Sequence, residues 1–199
     1  MSSEGEANRL RTGVLAAYSA AADEPQSPHP FPVGRAFAES LGYPPELLDS
    51  LPPSAVDAFA GVSNVAVFAE MAPGTAVLDL GCGAGLDSLI AARRVGPTGT
   101  VTGIDFSERM LARARAAARE ARADNVLFLQ VDAERLAGLS ASFDVAIVNG
   151  IFNLNPAREQ IFRALARVLK PGGSAFVAEL ILKAPLPPEV RSCPANWFA

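Results

Sequence analysis

The 199-residue chain is poor in the side chains that announce metal or redox chemistry. Its two cysteines, Cys82 and Cys193, lie far apart and make no disulfide framework. A single histidine, His29, with no cluster of Cys and His, argues against a structural zinc site. Charged residues are only 19% of the chain and the net charge is −4, so a nucleic-acid polyanion is not the expected partner. Arginines do cluster in 109–122, but interleaved with alanines at helical spacing, which reads as a solvated helix face. No apolar run approaches the roughly 18 residues that a membrane span needs. The nearest thing to a targeting signal is Arg9 and Arg11 ahead of the apolar run 13–22. Glu4 and Glu6 occupy what would be its basic region and the run is alanine-rich, so it reads as a helix or a mobile segment. The expected location is cytoplasmic.

What the chain does have is hydrophobic residues, half of the total, enough for one domain with a proper core and few for two. Residues 1–33 read as a flexible N-terminal segment: 1–12 polar and frayed, 13–22 a helix carrying Tyr18, and 23–33 irregular because of Pro25, Pro28, Pro30 and Pro32. Residues 34–199 then form a single domain. It begins with a helical cap over 34–72, in short segments near 34–42, 44–50, 53–60 and 63–71 separated by Pro44-Pro45, Pro52-Pro53 and Gly61.

Strict alternation follows. The pattern predicts strands near 76–80, 100–105, 126–131, 144–149 and 174–182. Between them it predicts helices near 86–95, 107–122 and 156–169. Apolar strands alternating with amphipathic helices mean an α/β fold, a doubly wound and mostly parallel sheet built with right-handed crossovers. Met110, Leu111, Ala114, Ala117 and Ala118 are the inward stripe of one helix; Ile161, Phe162, Leu165 and Val168 are that of another.

The chain is organised around Ala76-Val-Leu-Asp-Leu-Gly-Cys-Gly-Ala-Gly85, a short buried strand followed by glycines at alternate positions. Strand, glycine turn and helix present backbone N–H groups at the carboxyl edge of a parallel sheet. A dinucleotide fingerprint is G-x-G-x-x-G, but Leu86 stands where its third glycine would be. The G-x-G-x-G spacing suits a nucleoside-type ligand without phosphates, of which S-adenosylmethionine is the commonest. Twenty positions beyond Gly85, the strand Val101-Thr-Gly-Ile-Asp105 ends in an acid that can accept from ribose hydroxyls. Asp105 can equally cap the helix that begins near Ser107. At the end of the third strand, Asp132 can accept from an adenine amino group while the N–H of Ala133 donates to a ring nitrogen, or Asp132 can simply cap a turn. The fourth strand ends at Asn149-Gly150, where uncharged amides (Asn149, Asn153) border the reacting end of such a ligand or serve the turn itself.

These segments resemble the class I S-adenosylmethionine-dependent methyltransferases over roughly residues 60–182. Leu78-Asp-Leu-Gly-Cys-Gly-Ala-Gly85 resembles the family's first motif, and Gly103-Ile-Asp-Phe-Ser107, with Asp105 and Phe106, its ribose-binding acid. Asp132-Ala133 resembles the adenine-binding element, and Leu169-Lys-Pro-Gly-Gly173 the turn before the fifth strand. The resemblance implies a Rossmann-like fold with S-adenosylmethionine as cofactor. It implies that Asp79 orients the glycine turn, that Gly81, Cys82, Gly83 and Gly85 approach the methionine part, and that Asp105 holds the ribose. No metal is implied.

A closer resemblance is to the arsenite methyltransferase group, through Gly42-Tyr-Pro-Pro-Glu-Leu-Leu48, Phe59-Ala-Gly-Val-Ser-Asn64, Gly85-Leu-Asp87 and Asn149-Gly-Ile-Phe-Asn-Leu-Asn-Pro156. That group binds As(III) through thiolates, and the first two of their places here look like Val62 and Gly150. Cys193 lies near the third outside a matching motif, and Cys82 belongs to the cofactor turn. As(III) is soft and wants two or three sulfurs, so the expected acceptor is another small molecule, with arsenite as the alternative. The family's C-terminal strand hairpin is missing after Asn196-Trp-Phe-Ala199, which leaves a truncated or non-catalytic cofactor-binding protein as a further reading. A nicotinamide oxidoreductase is disfavoured by Leu86. Glu179 is the most plausible ionisable candidate for a general base, although it can equally point to solvent or pair with an arginine, so no catalytic residue is assigned; Tyr18 with 23–33 is a candidate lid.

Overall fold

The computed structural model describes residues 3–136, 142–185 and 187. Helix α1 (Ser3–Asp23) comes first, and four short helices follow: α2 (Arg35–Ser40), α3 (Pro45–Asp49), α4 (Pro53–Val56) and α5 (Val65–Phe68). The alternating part is β1 (Ala76–Leu80), α6 (Leu86–Val95), β2 (Thr100–Asp105), α7 (Glu108–Glu120), β3 (Val126–Gln130), β4 (Phe143–Asn149), α8 (Arg158–Val168) and β5 (Leu169–Ala178). The strands make one sheet in the order β3-β2-β1-β4-β5, and every pairing is parallel. Chain order therefore reverses between β1 and β4, and that reversal opens a crevice at the carboxyl edge.

The central strands are apolar because both faces are covered. Val77, Leu78 and Leu80 of β1 have no exposed surface, and burying each contributes about 1.5–3 kcal/mol before entropy is charged. One face packs on α6 and the cap helices, the other on α8. Ser107 caps α7 by accepting from Met110 N. Met110, Leu111, Ala114 and Ala117 are its buried stripe, with Ala118 at the margin.

Three expectations need correction. Residues 3–12 of the polar stretch are helical rather than frayed: they belong to α1, which is anchored where Val14 is buried and Arg11 pairs with Glu134. The fifth strand covers 169–178 rather than 174–182: Leu169 already pairs with Phe143, and the next matched pair is Ser174 with Val145, so Lys170–Gly173 bulges out of register. Phe162 is not inward but 55% exposed, lying flat on Phe152 with ring centroids 4.3 Å apart. Ile161, Leu165 and Val168, spaced i, i+4, i+7, already fill the inward stripe. Cys193, Trp197 and Phe198 lie outside the described residues. Among the described residues no helix is long and apolar enough to cross a membrane.

Candidate functional site

The turn after β1 is stitched to the end of β2. Gly81 N and Cys82 N both donate to the Ile104 carbonyl, at 2.8 and 2.9 Å, and Gly83 N donates to Asp105 Oδ2 at 2.9 Å. Gly81 has φ +80°, and a Cβ there would sit 2.2 Å from Ile151 Cγ2, so neither the backbone nor the space admits a side chain. The other oxygen of Asp105, Oδ1, accepts from Ser107 N at 2.8 Å. One carboxylate thus braces both the glycine turn and the start of α7. Burial pushes its pKa up to about 6, against the backbone N–H groups of Ser107, Gly83 and Phe106 that favour the ionised form.

Behind the turn lies a second polar network. Ser88 Oγ donates to Asp79 Oδ2 at 2.5 Å, which ties the last turn of β1 to α6. Tyr43 OH donates to Asp87 Oδ1 at 2.5 Å, and Asn149 Nδ2 donates to Asp87 Oδ2 at 2.8 Å. Asn149 Oδ1 accepts from Val62 N at 2.8 Å and Ser63 N at 3.1 Å, while Nδ2 also donates to the Ser63 carbonyl at 2.7 Å. The amide of Asn149 is therefore spent on clamping the 62–63 loop to the end of β4. Asp79 and Asp87 are both pushed toward the protonated form by burial; for Asp79, the neighbouring Asp87 carboxylate adds to the effect. Tyr43 stays a phenol, held protonated by burial and by the field of Asp87.

Between these networks and α1 lies a cavity of about 320 Å³, within the range usual for small-molecule and cofactor sites. Asp79, Gly81, Cys82, Gly83, Asp105, Phe106, Asp132, Ala133 and Asn149 all reach its wall, so the structure brings nine of the ten sequence candidates together. Gly85 is the exception. A Cβ there would meet Ala114 Cβ at 3.0 Å and Phe128 Cζ at 3.1 Å, so its place is in helix packing. Cys82 contributes backbone, while its buried thiol packs with Leu111, Ala114 and Phe128. Burial, then the carboxylates of Asp79 and Asp105, raise the thiol's pKa well above its ordinary value, so it is not a thiolate.

Glu179 does not present a free base. Its Oε2 accepts from Phe152 N at 2.6 Å and Asn153 N at 3.2 Å, capping the 3-10 turn Phe152–Leu154. Sequence reasoning missed Glu134, whose 7%-exposed side chain accepts from Arg11 and, at 3.0 Å, from Asn155 Nδ2. It also missed the Tyr43–Asp87–Asn149 clamp. Each joins residues remote in the chain, and no local pattern announces them.

The one Lys or Arg among the described residues lining the cavity, Arg11, pairs with Glu134, so Asp105 beside a turn of bare backbone fits a ribose and an uncharged nucleoside better than a pyrophosphate. These features define a doubly wound nucleoside-binding domain. The comparisons carry the identification further. Residues 72–198 match the family model described as "Methyltransferase domain", and the chain belongs to that family. It is 38% identical over 157 residues to an arsenite methyltransferase of Halobacterium salinarum, covering 79% of this chain and 40% of the relative. It is 45% identical over 101 residues to a demethylmenaquinone methyltransferase of Listeria welshimeri, covering 50% of this chain and 42% of the relative. Among solved structures, an arsenic(III) S-adenosylmethionine methyltransferase of Chlamydomonas reinhardtii superposes with TM-score 0.64 at 32% identity, over 82% of this chain and 56% of that one. The chain thus spans less than two-thirds of each of these relatives.

Proposed function

We propose that the chain is the cofactor-binding part of an S-adenosylmethionine-dependent methyltransferase acting on a small, largely apolar organic acceptor. The observation that carries this reading is the convergence of Asp105, the Gly81–Gly83 turn and the Asp132-Ala133 backbone on one cavity at the carboxyl edge. When bound, the cofactor supplies an electrophilic sulfonium methyl for in-line displacement. The protein's share is positioning and water exclusion. Asp105 accepts from the ribose, Asp79 holds the turn through Ser88, and the Asn149 clamp fixes the 62–63 loop beside the turn. Phe59, Ile151, Leu154 and Leu15 line the cavity and favour an apolar acceptor. A small-molecule rather than nucleic-acid acceptor belongs to the same reading, supported by the charge of −4, and a cytoplasmic location goes with it.

Arsenite is the second reading, favoured by the names of the relatives. The described residues oppose it. Their only cysteine, Cys82, is a buried protonated thiol. A Cβ on Gly150 would fall 2.9 Å from Val62 Cγ1, so the two loops meet through valine methyls and a bare glycine. Transfer of labelled methyl from S-adenosylmethionine, run in parallel on As(III) with excess thiol and on a panel of phenols and quinols, separates the two. Turnover on an organic acceptor and none on As(III) is expected; methylated arsenic as the sole product sinks the organic-acceptor reading.

A further inference from the structure

Helix α1 crosses the open side of the cavity, to which it lends Asn8, Arg11, Thr12, Leu15 and Tyr18. It is docked at a particular place. Ser19 Oγ lies 3.2 Å from Ser107 Oγ, and Ser107 N is the group that donates to Asp105 Oδ1. Two further contacts fix the end of the helix: Arg113 Nε donates to the Ala22 carbonyl, and Arg109 pairs with Asp23 at 2.9 Å. Tyr18, one residue before Ser19, is thereby held on the wall of the cavity that Asp105 also lines. Its ring stacks on Phe31, with centroids 4.5 Å apart and 24° between planes. The stack sets the ring's direction, and the Pro-rich segment that carries Phe31 packs behind it.

The hydroxyl of Tyr18 has no protein hydrogen-bond partner among the described residues, although that of Tyr43, the other tyrosine, has three. It is open to the cavity, and the carboxylates facing it are Asp105 and Glu179. Burial and those two charges keep it a phenol, hence a donor. Glu179 is occupied by the backbone of the 3-10 turn. Asp105 is the acceptor across the gap. A ligand hydroxyl is both donor and acceptor, so a ribose hydroxyl can donate to Asp105 and accept from Tyr18 at once. Neither protein group alone satisfies it.

The geometry points to Tyr18 as a cofactor-binding residue: its phenol donates to a ribose hydroxyl held by Asp105, which makes α1 a wall of the cofactor site. This rests on the cofactor reading above. Binding then needs α1 in place, and bound cofactor protects the chain on the far side of it.

The test is calorimetric titration of the full chain with S-adenosylhomocysteine and its 2′-deoxy and 3′-deoxy analogues, for the natural protein, Tyr18→Phe and Asp105→Ala. Limited proteolysis of 24–33 with and without ligand runs beside it. Phe keeps the ring and the stack, and an unchanged melting temperature without ligand shows that the variant is folded. Tyr18→Phe is expected to weaken binding about 3- to 10-fold, the loss of one hydrogen bond. With one of the two deoxy analogues the penalty should vanish, which a merely structural Tyr18 would not produce. Ligand should slow cleavage in the natural protein more than in Tyr18→Phe. Equal affinity of Tyr18→Phe and the natural protein, with Asp105→Ala weakened, overturns the assignment of Tyr18 and leaves the cofactor reading standing. No binding by the natural protein overturns both.

Discussion

The two halves of the cavity are built on opposite plans. The β1–β2 half is made of backbone and a single carboxylate: Gly81, Gly83 and Asp105 are locked together by hydrogen bonds within a few residues of two strand ends. The half at the end of β4 is made of side chains that meet across long stretches of sequence. Asn149 reaches Val62 and Ser63, Tyr43 reaches Asp87, and Arg11 reaches Glu134. Backbone geometry at a strand end is a general device, so the first half suits a ligand common to many proteins. Side-chain contacts between remote segments depend on the whole fold to bring them together, so the second half stands or falls with the packing of the cap against β4.

The sharpest way to break this comparison is at Gly81, where the halves touch. A Cβ at that position would overlap Ile151 and the residue would be held at φ +80°. Gly81→Val is expected to cost about 3 kcal/mol or more of stability, combining left-handed backbone strain with overpacking. Urea unfolding measures it; a loss below about 1 kcal/mol means that the β4 half gives way easily and the two are not in contact as described.

Asp105→Ala comes next. It removes an ionic acceptor and leaves Gly83 N and Ser107 N without their partner. S-adenosylhomocysteine should bind about 10- to 100-fold more weakly by calorimetry, which is about 1.5–3 kcal/mol. Tyr43→Phe probes the other half. The variant loses the donor to Asp87 and Ser63, and about 1–2 kcal/mol of stability. Hydrogen exchange of residues 61–64 should rise while nucleoside affinity holds. A nucleoside affinity that falls as far as in Asp105→Ala would show that the two halves are one unit.

How much of this was legible in the sequence follows the same division. Strand ends and glycine turns are local, so β1, α6 and β2 fall where the apolar runs and the Gly81–Gly85 spacing put them. Asp105 is legible as a cavity residue because it ends a strand of the parallel sheet, at the carboxyl edge where the crevice opens. Glu134 and Asp87 were not, since what makes each of them part of the site is a partner more than 40 residues away. The bulge at Lys170–Gly173 was hidden for a different reason. Pro and Gly read as a break, yet Leu169 rejoins the sheet before the break and Ser174 after it. Asn149 shows the limit most plainly: an amide at the end of β4 reads equally as ligand contact or as clamp, and only its partners decide.

pH offers a gentler probe of the β1–β2 half. Because burial raises Asp105 to about 6 in the folded protein, above the ordinary value near 3.9, ionising it there costs more than in the unfolded chain. Its contribution to stability is thus fully present below about pH 4 and is lost as pH rises through about 6. If Asp105 accepts from the ribose as proposed, the ionised form is the acceptor, so affinity should run the other way, rising up to about tenfold from pH 5 to pH 7. Calorimetry across that range checks it. The rise should disappear in Asp105→Asn, and a flat profile in the natural protein would mean that the bound carboxylate titrates elsewhere.

The smallest expected effect is at Arg11, which fastens the first half of α1 to Glu134. Arg11 is 39% exposed, so solvent screens the pair, whereas Glu134 is nearly covered and keeps Asn155 when Arg11 is gone. An exposed partner of this kind contributes at most about 1 kcal/mol. Arg11→Ala should therefore leave fold and chemistry intact and act on the cover alone. Stopped-flow release of S-adenosylhomocysteine should quicken about two- to fivefold, while Tyr18, docked through Ser19 and Asp23 at the other end of the helix, keeps most of the affinity. Release unchanged in rate would mean that the ligand leaves without lifting the first half of α1, past its Tyr18 end or between the loops of the β4 half.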